Sequence, residues 1–211
     1  LAVAATVPAA EAVRGDGLPE GASTRETPLP VAFAAPTQFS LPGGEPSAIV
    51  CADFNGDGHL DLVVACVGNP DFGDALCILL GSGDGGFGAP STIPTELPCP
   101  RACVTGDFNE DGHPDLAVSV GSSTVEILLG DGAGGFADGG LLDCAAVALA
   151  VADFDVDGHL DLAAVCDDSL LMIFRGDGVG GFVPTQDLPV PSPTSIAVAD
   201  LDGDGTLDLA V

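Results

Sequence analysis

The chain has 211 residues, of which 46% are hydrophobic, 30 are Gly and 10 are Phe, so it can bury a core of mostly small aliphatic side chains. Its 32 acidic residues face 4 basic ones, and the formal net charge of -28 argues against nucleic acid or an anionic membrane surface as a partner. The longest apolar run, near residues 144–152, is about half of the ~18 residues that a transmembrane helix needs, which argues against a membrane span.

A nine-residue acidic loop occurs four times. Each copy has Asp at its first, fifth and ninth positions, Asp or Asn at its third and Gly at its sixth. The copies, called loops 1 to 4 here, are 53–61 (DFNGDGHLD), 107–115 (DFNEDGHPD), 153–161 (DFDVDGHLD) and 200–208 (DLDGDGTLD). Their first residues are 54, 46 and 47 positions apart, and a period of this length predicts a repeat architecture.

Short apolar segments on both sides of every loop predict strands. Those before the loops are 47–52, 102–105, 145–152 and 195–199, and those after them begin at Leu60, Pro114, Leu160 and Leu207. Segments that are short, β-branched and bounded by Gly are typical of strands. Each loop is therefore predicted to join two strands of a hairpin.

A third predicted strand leads into a Gly-rich turn that ends in Phe. The turns end at Phe87, Phe136 and Phe182, seven residues after Leu80, Leu129 and Arg175 respectively. The constant spacing predicts one hairpin geometry, because Gly supplies the positive φ angles that the turn needs. A polar segment with Pro follows and suits an edge strand. Four strands in each repeat predict an all-β fold, a β-propeller of four-stranded antiparallel blades.

The two ends of the chain match parts of a repeat. Residues 1–5 (LAVAA) align with 116–120 (LAVSV), and 13–17 (VRGDG) align with 174–178 (FRGDG). Arg14 and Phe33 are 19 residues apart instead of 7, which predicts an insertion at about 18–30. We expect a partial ring of about four to five blades cut from a longer array, with parts at about 1–44, 45–97, 98–142, 143–190 and a truncated 191–211.

The loops have the composition of a calcium site. Ca²⁺ takes six to eight oxygen ligands, and carboxylates at alternate positions of a tight loop can supply them together. An EF-hand is excluded, because its bidentate Glu at position twelve is replaced by Val64, Val118, Ala164 or Val211. The ninth-position Asp can close the shell instead, with the seventh-position carbonyl and a water. Ordinary Asx turns are the alternative, but such concentrated acids would repel one another without a cation.

The remaining reactive residues indicate no catalytic site. All three histidines, His59, His113 and His159, are at the seventh loop position, where we expect the ring to face solvent, and none remains for a Ser-His-Asp arrangement. Arg-Gly-Asp occurs at 14–16 and 175–177, but both copies fall on the Gly-rich turn and are interpreted as structural.

Seven Cys residues leave at least one without a partner in this chain. Cys66 and Cys166 have the same place in their repeats, five residues after a ninth-position Asp, and can be small core residues. Cys66 with Cys77, and Cys99 with Cys103, are short-range disulfide candidates between which the sequence does not decide.

The loops, the GDGxGGF-type turns and the FGAP step at 87–90 resemble those of the FG-GAP/VCBS repeat family, the calcium-loop propeller repeats of integrin α-chain heads and of many bacterial secreted proteins. The resemblance implies a seven-bladed ring, a secreted or cell-surface location and about four structural Ca²⁺ sites. The implied ligands are Asp53, Asn55, Asp57, His59 (carbonyl) and Asp61; Asp107, Asn109, Asp111, His113 (carbonyl) and Asp115; Asp153, Asp155, Asp157, His159 (carbonyl) and Asp161; and Asp200, Asp202, Asp204, Thr206 (carbonyl) and Asp208. Because Asp155 and Asp202 replace Asn, we expect loops 3 and 4 to bind more tightly.

We therefore expect a non-enzymatic module for adhesion, or for binding an extracellular protein or carbohydrate. The chain has no Lys, Tyr or Trp, and no residue outside the repeats has obvious catalytic chemistry. One alternative is an accessory or catalytic propeller of an extracellular polysaccharide-degrading enzyme, in which the insertion would offer Glu20, Arg25 and Glu26. The other alternative is a passive scaffold.

Overall fold

The computed structural model describes residues 2–4, 37–68, 74–95, 99–121 and 123–211, and the regular structure in this part of the chain is entirely β-strand. The strands form antiparallel sheets, three with four strands and two with two. Among the described residues, no helix is long and apolar enough to cross a bilayer. The predicted fold class is confirmed: the protein is all-β, and its four-stranded sheets have the organisation of propeller blades.

The four-stranded sheets are meanders, since strands adjacent in sequence are also adjacent in the sheet. Sheet 1 contains β1 (Ala2–Ala4) and β2 (Thr37–Phe39). Sheet 2 contains β3 (Glu45–Ala52), β4 (Asp61–Val67), β5 (Ala75–Leu79) and β6 (Ser91–Ile93). Sheet 3 contains β7 (Cys103–Gly106), β8 (Asp115–Val120), β9 (Thr124–Gly130) and β10 (Phe136–Asp143). Sheet 4 contains β11 (Ala146–Ala152), β12 (Asp161–Cys166), β13 (Leu170–Gly176) and β14 (Phe182–Pro189), and sheet 5 contains β15 (Ala197–Ala199) and β16 (Asp208–Ala210).

Burial changes systematically from the second strand of a sheet to the fourth. Every residue of β8 and of β12 is buried, because neighbouring sheets cover both faces of these apolar strands. The fourth strand of sheet 4, β14, is exposed at every position after Phe182. Its residues Pro184 and Pro189 have no N–H to donate, so they are tolerated on an edge strand. In sheet 4 the apolar segment thus lies inside and the Pro-containing segment lies at the edge.

Hydrophobic side chains fill the spaces between successive sheets. One cluster of buried residues joins sheets 2 and 3. In it, Phe54 of loop 1 and Val63 and Leu76 of sheet 2 pack with Leu116 and Val118 of sheet 3. A second cluster joins sheets 3 and 4, and a third joins sheet 4 to the apolar residues around sheet 5. Each sheet is therefore stabilised mainly by burial against its neighbours, as in other repeat architectures.

One contact recurs between neighbouring four-stranded sheets. The amide of Gly134 donates a hydrogen bond of 3.0 Å to the carbonyl of Phe54, and the Phe54 and Phe136 rings meet edge to face with centroids 5.7 Å apart. One repeat later, the amide of Gly180 donates at 3.0 Å to the carbonyl of Phe108, whose ring centroid is 5.2 Å from that of Phe182. The second residue of each of these loops therefore binds the Gly-Gly-Phe turn of the next repeat, through its carbonyl and through its ring.

We expect the Phe108 and Phe182 rings to be energetically coupled by about 0.5–1.5 kcal/mol, which is the usual range for an edge-to-face pair. The measurement is a double-mutant cycle with Phe108→Leu and Phe182→Leu, in which urea denaturation gives the free energy of unfolding of each variant. The matched control is Phe154→Leu with Phe182→Leu, because these two rings belong to different hydrophobic clusters. Additive effects at Phe108 and Phe182 would contradict the prediction.

Candidate metal site in the acidic loops

Each acidic loop joins the first and second strands of a sheet. The strand pairing of each hairpin ends at the ninth loop residue, with Ala52 opposite Asp61 and Gly106 opposite Asp115 in loops 1 and 2. Loops 3 and 4 repeat this register, with Ala152 opposite Asp161 and Ala199 opposite Asp208. The ninth-position Asp is therefore the first residue of the second strand, and the other acids of the loop lie in the turn.

The first-position carboxylate organises the turn. In loop 1, Asp53 accepts hydrogen bonds from the amides of Asp57 (3.1 Å) and Gly58 (2.8 Å), and Asp57 accepts one from the amide of His59 (2.8 Å). The same three bonds occur in loops 2 and 3. In loop 4 the first-position carboxylate, Asp200, accepts a hydrogen bond from the amide of Gly203 instead of from the fifth residue, Asp204. The sixth-position glycines permit this geometry, since their φ angles are positive, for example 84° at Gly58.

In loops 1 to 3 the ninth-position carboxylate is buried and ties the loop to the end of the third strand of its own sheet, whereas Asp208 of loop 4 is half-buried and accepts the amide of Leu201. Asp115 has 0% relative exposure and accepts hydrogen bonds from the amides of Phe108 (2.8 Å) and Gly130 (2.7 Å). Asp61 and Asp161 make the equivalent pairs of bonds. This role was not predicted from the sequence, although one signal was present. A Cβ at Gly81, Gly130 or Gly176 would overlap the carbonyl oxygen of the eighth loop residue, so Gly is required where this amide approaches.

The pKa of Asp115 and that of Asp57 shift in opposite directions. Burial raises the pKa of the Asp115 carboxyl, and the amides of Gly130 and Phe108 partly oppose that shift. The exposed Asp57 behaves in the opposite way, because the amide of His59 and then the side chain of Asn55 lower its pKa. Asp111 repeats this pattern in loop 2. A cation beside Asp115 would compensate the cost of burying its charge.

Loops 3 and 4 bring three carboxylates together. One oxygen from each of Asp153, Asp155 and Asp161 lies within 4.8 Å of the others, and Asp200, Asp202 and Asp208 form the same grouping. These are the first, third and ninth positions. The fifth-position Asp157 and Asp204 are outside the groupings and accept the amide of the seventh residue instead. The two acidic clusters can hold a metal ion, and their oxygen-only donors suit a hard divalent cation.

Loops 1 and 2 differ because Asn occupies their third position. The side-chain amide of Asn55 donates to Asp57 at 3.0 Å, and that of Asn109 donates to Asp111 at 2.9 Å. The carbonyl oxygen of Asn55 accepts the backbone amide of Asp57 at 3.0 Å. Asp155 and Asp202 accept the same fifth-residue amide, at 3.2 and 3.1 Å, so at this position the loops differ only in the side-chain N–H that Asn donates. One oxygen of Asp155 and one of Asp202 lie in the acidic groupings of loops 3 and 4.

Arg175 lies beside loop 3 without a close ion pair. Its guanidinium is 3.9 Å from the Asp155 carboxylate, and both side chains are about half exposed, so the attraction is weak. Arg175 belongs to the tripeptide 175–177, whose Asp177 accepts the amides of Val179 (2.9 Å) and Gly181 (2.8 Å) in its own turn. The other Arg-Gly-Asp tripeptide, at 14–16, and the insertion with Glu20, Arg25 and Glu26 lie outside the described residues.

The loop histidines lie over the Gly-rich turns instead of pointing away from the protein. A Cβ at Gly83, Gly132 or Gly178 would meet the ring of His59, His113 or His159 respectively. His59 is exposed, but His113 and His159 are half-buried, which differs from the expected solvent-facing rings. Nδ1 of His159 is also 2.5 Å from the Glu110 carboxylate of loop 2, and this hydrogen bond raises the pKa of His159. Consecutive loops are therefore direct neighbours.

The cysteines pair differently from the sequence interpretation. Cys166 is not a free core thiol: it forms a disulfide with Cys144, and their Cα atoms are 6.2 Å apart. Cys99 and Cys103, considered as a pair, are both free thiols. Cys99 donates to Asp74 at 3.4 Å, while Cys103 is buried between sheets 2 and 3. The Cys144–Cys166 pairing was missed because it depends on how β11 aligns with β12, where the register shifts between Ala146 and Ala148.

Comparison with known proteins agrees with this architecture. The sequence model of the FG-GAP-like repeat matches residues 53–118, 107–164 and 153–211. No curated protein matches the chain.

Among solved structures, a lectin of Agrocybe aegerita that recognises non-reducing terminal N-acetylglucosamine has a TM-score of 0.50 and 20% identity, over 75% of this chain and 44% of the lectin. BBS1N, solved in complex with ARL6DN, has a TM-score of 0.50 and 18% identity, over 76% of this chain and 48% of its own. The chain spans about half the length of these structures, and the likeness shows the fold alone.

Proposed function

Because the chain belongs to the FG-GAP-like repeat family, we propose that it is a calcium-binding propeller module of a secreted or cell-surface protein. The observation that carries the proposal is the convergence of carboxylates in loop 3 (Asp153, Asp155, Asp161) and in loop 4 (Asp200, Asp202, Asp208). Oxygen donors of this kind favour Ca²⁺ over metals that prefer nitrogen or sulfur. Bound calcium would neutralise acids that otherwise repel one another within each turn.

The ligands of each ion would be the carboxylates of the first, third, fifth and ninth positions and the carbonyl of the seventh. In loop 3 these are Asp153, Asp155, Asp157, Asp161 and the carbonyl of His159. The buried ninth-position carboxylate has lone pairs beyond the two that accept backbone amides, so it can serve both the fold and the metal. In loops 1 and 2 the carbonyl oxygens of Asn55 and Asn109 would take the third-position role, which lowers the charge of those sites.

The role of the ions in this proposal is structural, and the partner is an extracellular protein or carbohydrate. The lectin of similar fold recognises a sugar, which supports a carbohydrate partner at the level of the fold. We propose no catalytic activity, because every His of the sequence is in a metal loop and the chain has no Lys, Tyr or Trp. If neither an extracellular protein nor a carbohydrate binds, the module acts as a passive scaffold.

Isothermal titration of chelator-treated protein with CaCl₂ tests the calcium sites. We expect binding with dissociation constants of about 10⁻⁴ to 10⁻³ M, the range of extracellular calcium modules. Asp155→Asn and Asp202→Asn should each weaken one of the tighter sites, whereas Asp167→Asn, an exposed acid outside the loops, should change nothing. The absence of calcium-dependent heat, or equal effects of all three variants, would refute the assignment of the loops.

A glycan array and a panel of extracellular proteins, each probed in calcium and in EGTA, test the partner. Binding that requires calcium supports a module whose recognition surface depends on the ordered loops. Protein that takes up calcium but binds nothing on either panel would favour the scaffold. The titration and the binding screens therefore separate the calcium proposal from the partner proposal.

A further inference from the structure

Two cysteines lie on one face of sheet 2 and are completely buried. In the pairing of β4 with β5, Val64 is opposite Cys77 and Cys66 is opposite Ala75. Since residues two apart on a strand share a face, Cys66 and Cys77 are diagonal neighbours on the same face. Both have 0% relative exposure. Their sulfur atoms therefore share one closed environment inside the repeat.

Each thiol also shifts the pKa of the other. Burial raises the pKa of Cys66, and a hydrogen bond with Cys77 lowers it in part. Burial raises the pKa of Cys77 to about 11, and its Cys66 neighbour adds to that shift. Gly43 packs so closely over this face that a Cβ there would collide with the Cβ atoms of Cys66 and Ala75. The pair is thus enclosed, and in the structure both residues are free thiols.

Another cysteine pair indicates the redox environment in which this chain folds. The Cys144–Cys166 disulfide is of the kind that forms in an oxidising environment. Cys166 has the same place in sheet 4 as Cys66 has in sheet 2, at the end of the strand that begins with the ninth-position Asp. The place of Cys77 is taken by Glu126 in sheet 3 and by Met172 in sheet 4. Among the four-stranded sheets, sheet 2 alone has cysteine at both places.

We propose that Cys66 and Cys77 form a second disulfide, which links the second and third strands of sheet 2. One Sγ–Sγ bond forms as two S–H bonds break, and a low-molecular-weight disulfide such as oxidised glutathione accepts the two electrons and two protons and leaves as two thiols. Exchange proceeds through a thiolate, and the closed sheet disfavours thiolates at both positions. The disulfide therefore forms while the chain folds, before β4 and β5 are covered.

Counting and mapping thiols in the wild-type chain tests this proposal. Protein folded in a glutathione redox buffer is denatured with N-ethylmaleimide, and its intact mass is measured. Of the seven cysteines, we expect three to be alkylated: Cys51, Cys99 and Cys103. If Cys144–Cys166 is the sole disulfide, five are alkylated. Digestion before Asp74 places Cys66 and Cys77 on separate peptides, and a disulfide between them keeps those peptides joined until reduction.

Two matched variants identify the pair independently of the map. Cys51→Ser removes an exposed thiol and should lower the label count from three to two. Cys77→Ser should raise it from three to four, because Cys66 loses its partner while Cys144 and Cys166 stay joined. Five labels on the wild type with Cys66 and Cys77 among them, or peptides that join either residue to a different cysteine, would overturn the proposal. The wild-type measurement decides even if Cys77→Ser fails to fold.

Discussion

Removal of calcium is expected to lower the thermal unfolding midpoint by about 10–25 °C. At roughly millimolar calcium and a dissociation constant of about 10⁻⁴ M, each occupied loop adds about 1.4 kcal/mol to the free energy of unfolding, so four loops add nearly 6 kcal/mol. For a chain of this size, about 1 kcal/mol shifts the midpoint by roughly 2–4 °C. Since whole domains are stable by about 5–15 kcal/mol, calcium can decide whether this one is folded.

The measurement is circular dichroism at increasing temperature, in about 1 mM CaCl₂ and in EGTA at constant ionic strength. MgCl₂ is the control for general screening of the 32 acidic residues, because Mg²⁺ keeps its waters and fits a flexible carboxylate loop poorly. Asp155→Asn with Asp202→Asn should reduce the shift. Equal thermal unfolding midpoints in calcium and in EGTA would show that the ion has no structural role.

Asp115→Ala is expected to destabilise the calcium-free protein by about 2–6 kcal/mol. The substitution removes the acceptor of two backbone amides, those of Phe108 and Gly130, in a place with 0% exposure. Each buried donor left without a partner costs about 1–3 kcal/mol. The loss arises in the fold itself, because loop 2 is no longer tied to the end of β9. Urea denaturation in EGTA measures this loss without any contribution from metal binding.

Asp111→Ala is the matched control for Asp115→Ala. Asp111 is in the same loop and is a predicted ligand of the same ion, but it is exposed and its carboxylate accepts the amide of His113 at the surface. We expect a loss of about 0.5 kcal/mol or less in EGTA, as for other surface substitutions. In calcium both variants should lose the contribution of loop 2. If the two variants are equally stable in EGTA, the ninth-position carboxylate has no separate role in the fold.

Much of the architecture was predictable because the repeats are local. The spacing of the loops, the flanking apolar segments and the Gly-rich turns predict the strands of sheets 2, 3 and 4, and each feature depends on residues close together in the chain. The family assignment was predictable from the same motifs and is confirmed by the match over 53–211. The acidic composition of the loops likewise indicates a metal site, because few other arrangements tolerate so many carboxylates in one turn.

The side-chain pairings were less predictable. Asp115 was assigned to the metal alone, although its hydrogen bond to Gly130 crosses to another strand of the sheet. The pairing of Cys144 with Cys166 joins residues 22 apart, whereas the candidates named from the sequence were cysteines at shorter separation, between which it did not decide. The contact of Phe108 with Phe182 joins two repeats, and within either repeat these residues look like ordinary core aromatics.

Periodicity, turn residues and ligand types are local properties of the chain, so the repeat, the hairpins and the acidic residues available to a cation follow from the amino-acid sequence. Which groups face one another depends on how the strands and sheets pack. This packing brings the first, third and ninth carboxylates of loops 3 and 4 together, places the ninth-position carboxylate of loop 2 between two amides, and sets Cys66 beside Cys77. Strand register and the packing of one sheet on the next fix these distances, and neither is encoded at a constant spacing along the chain.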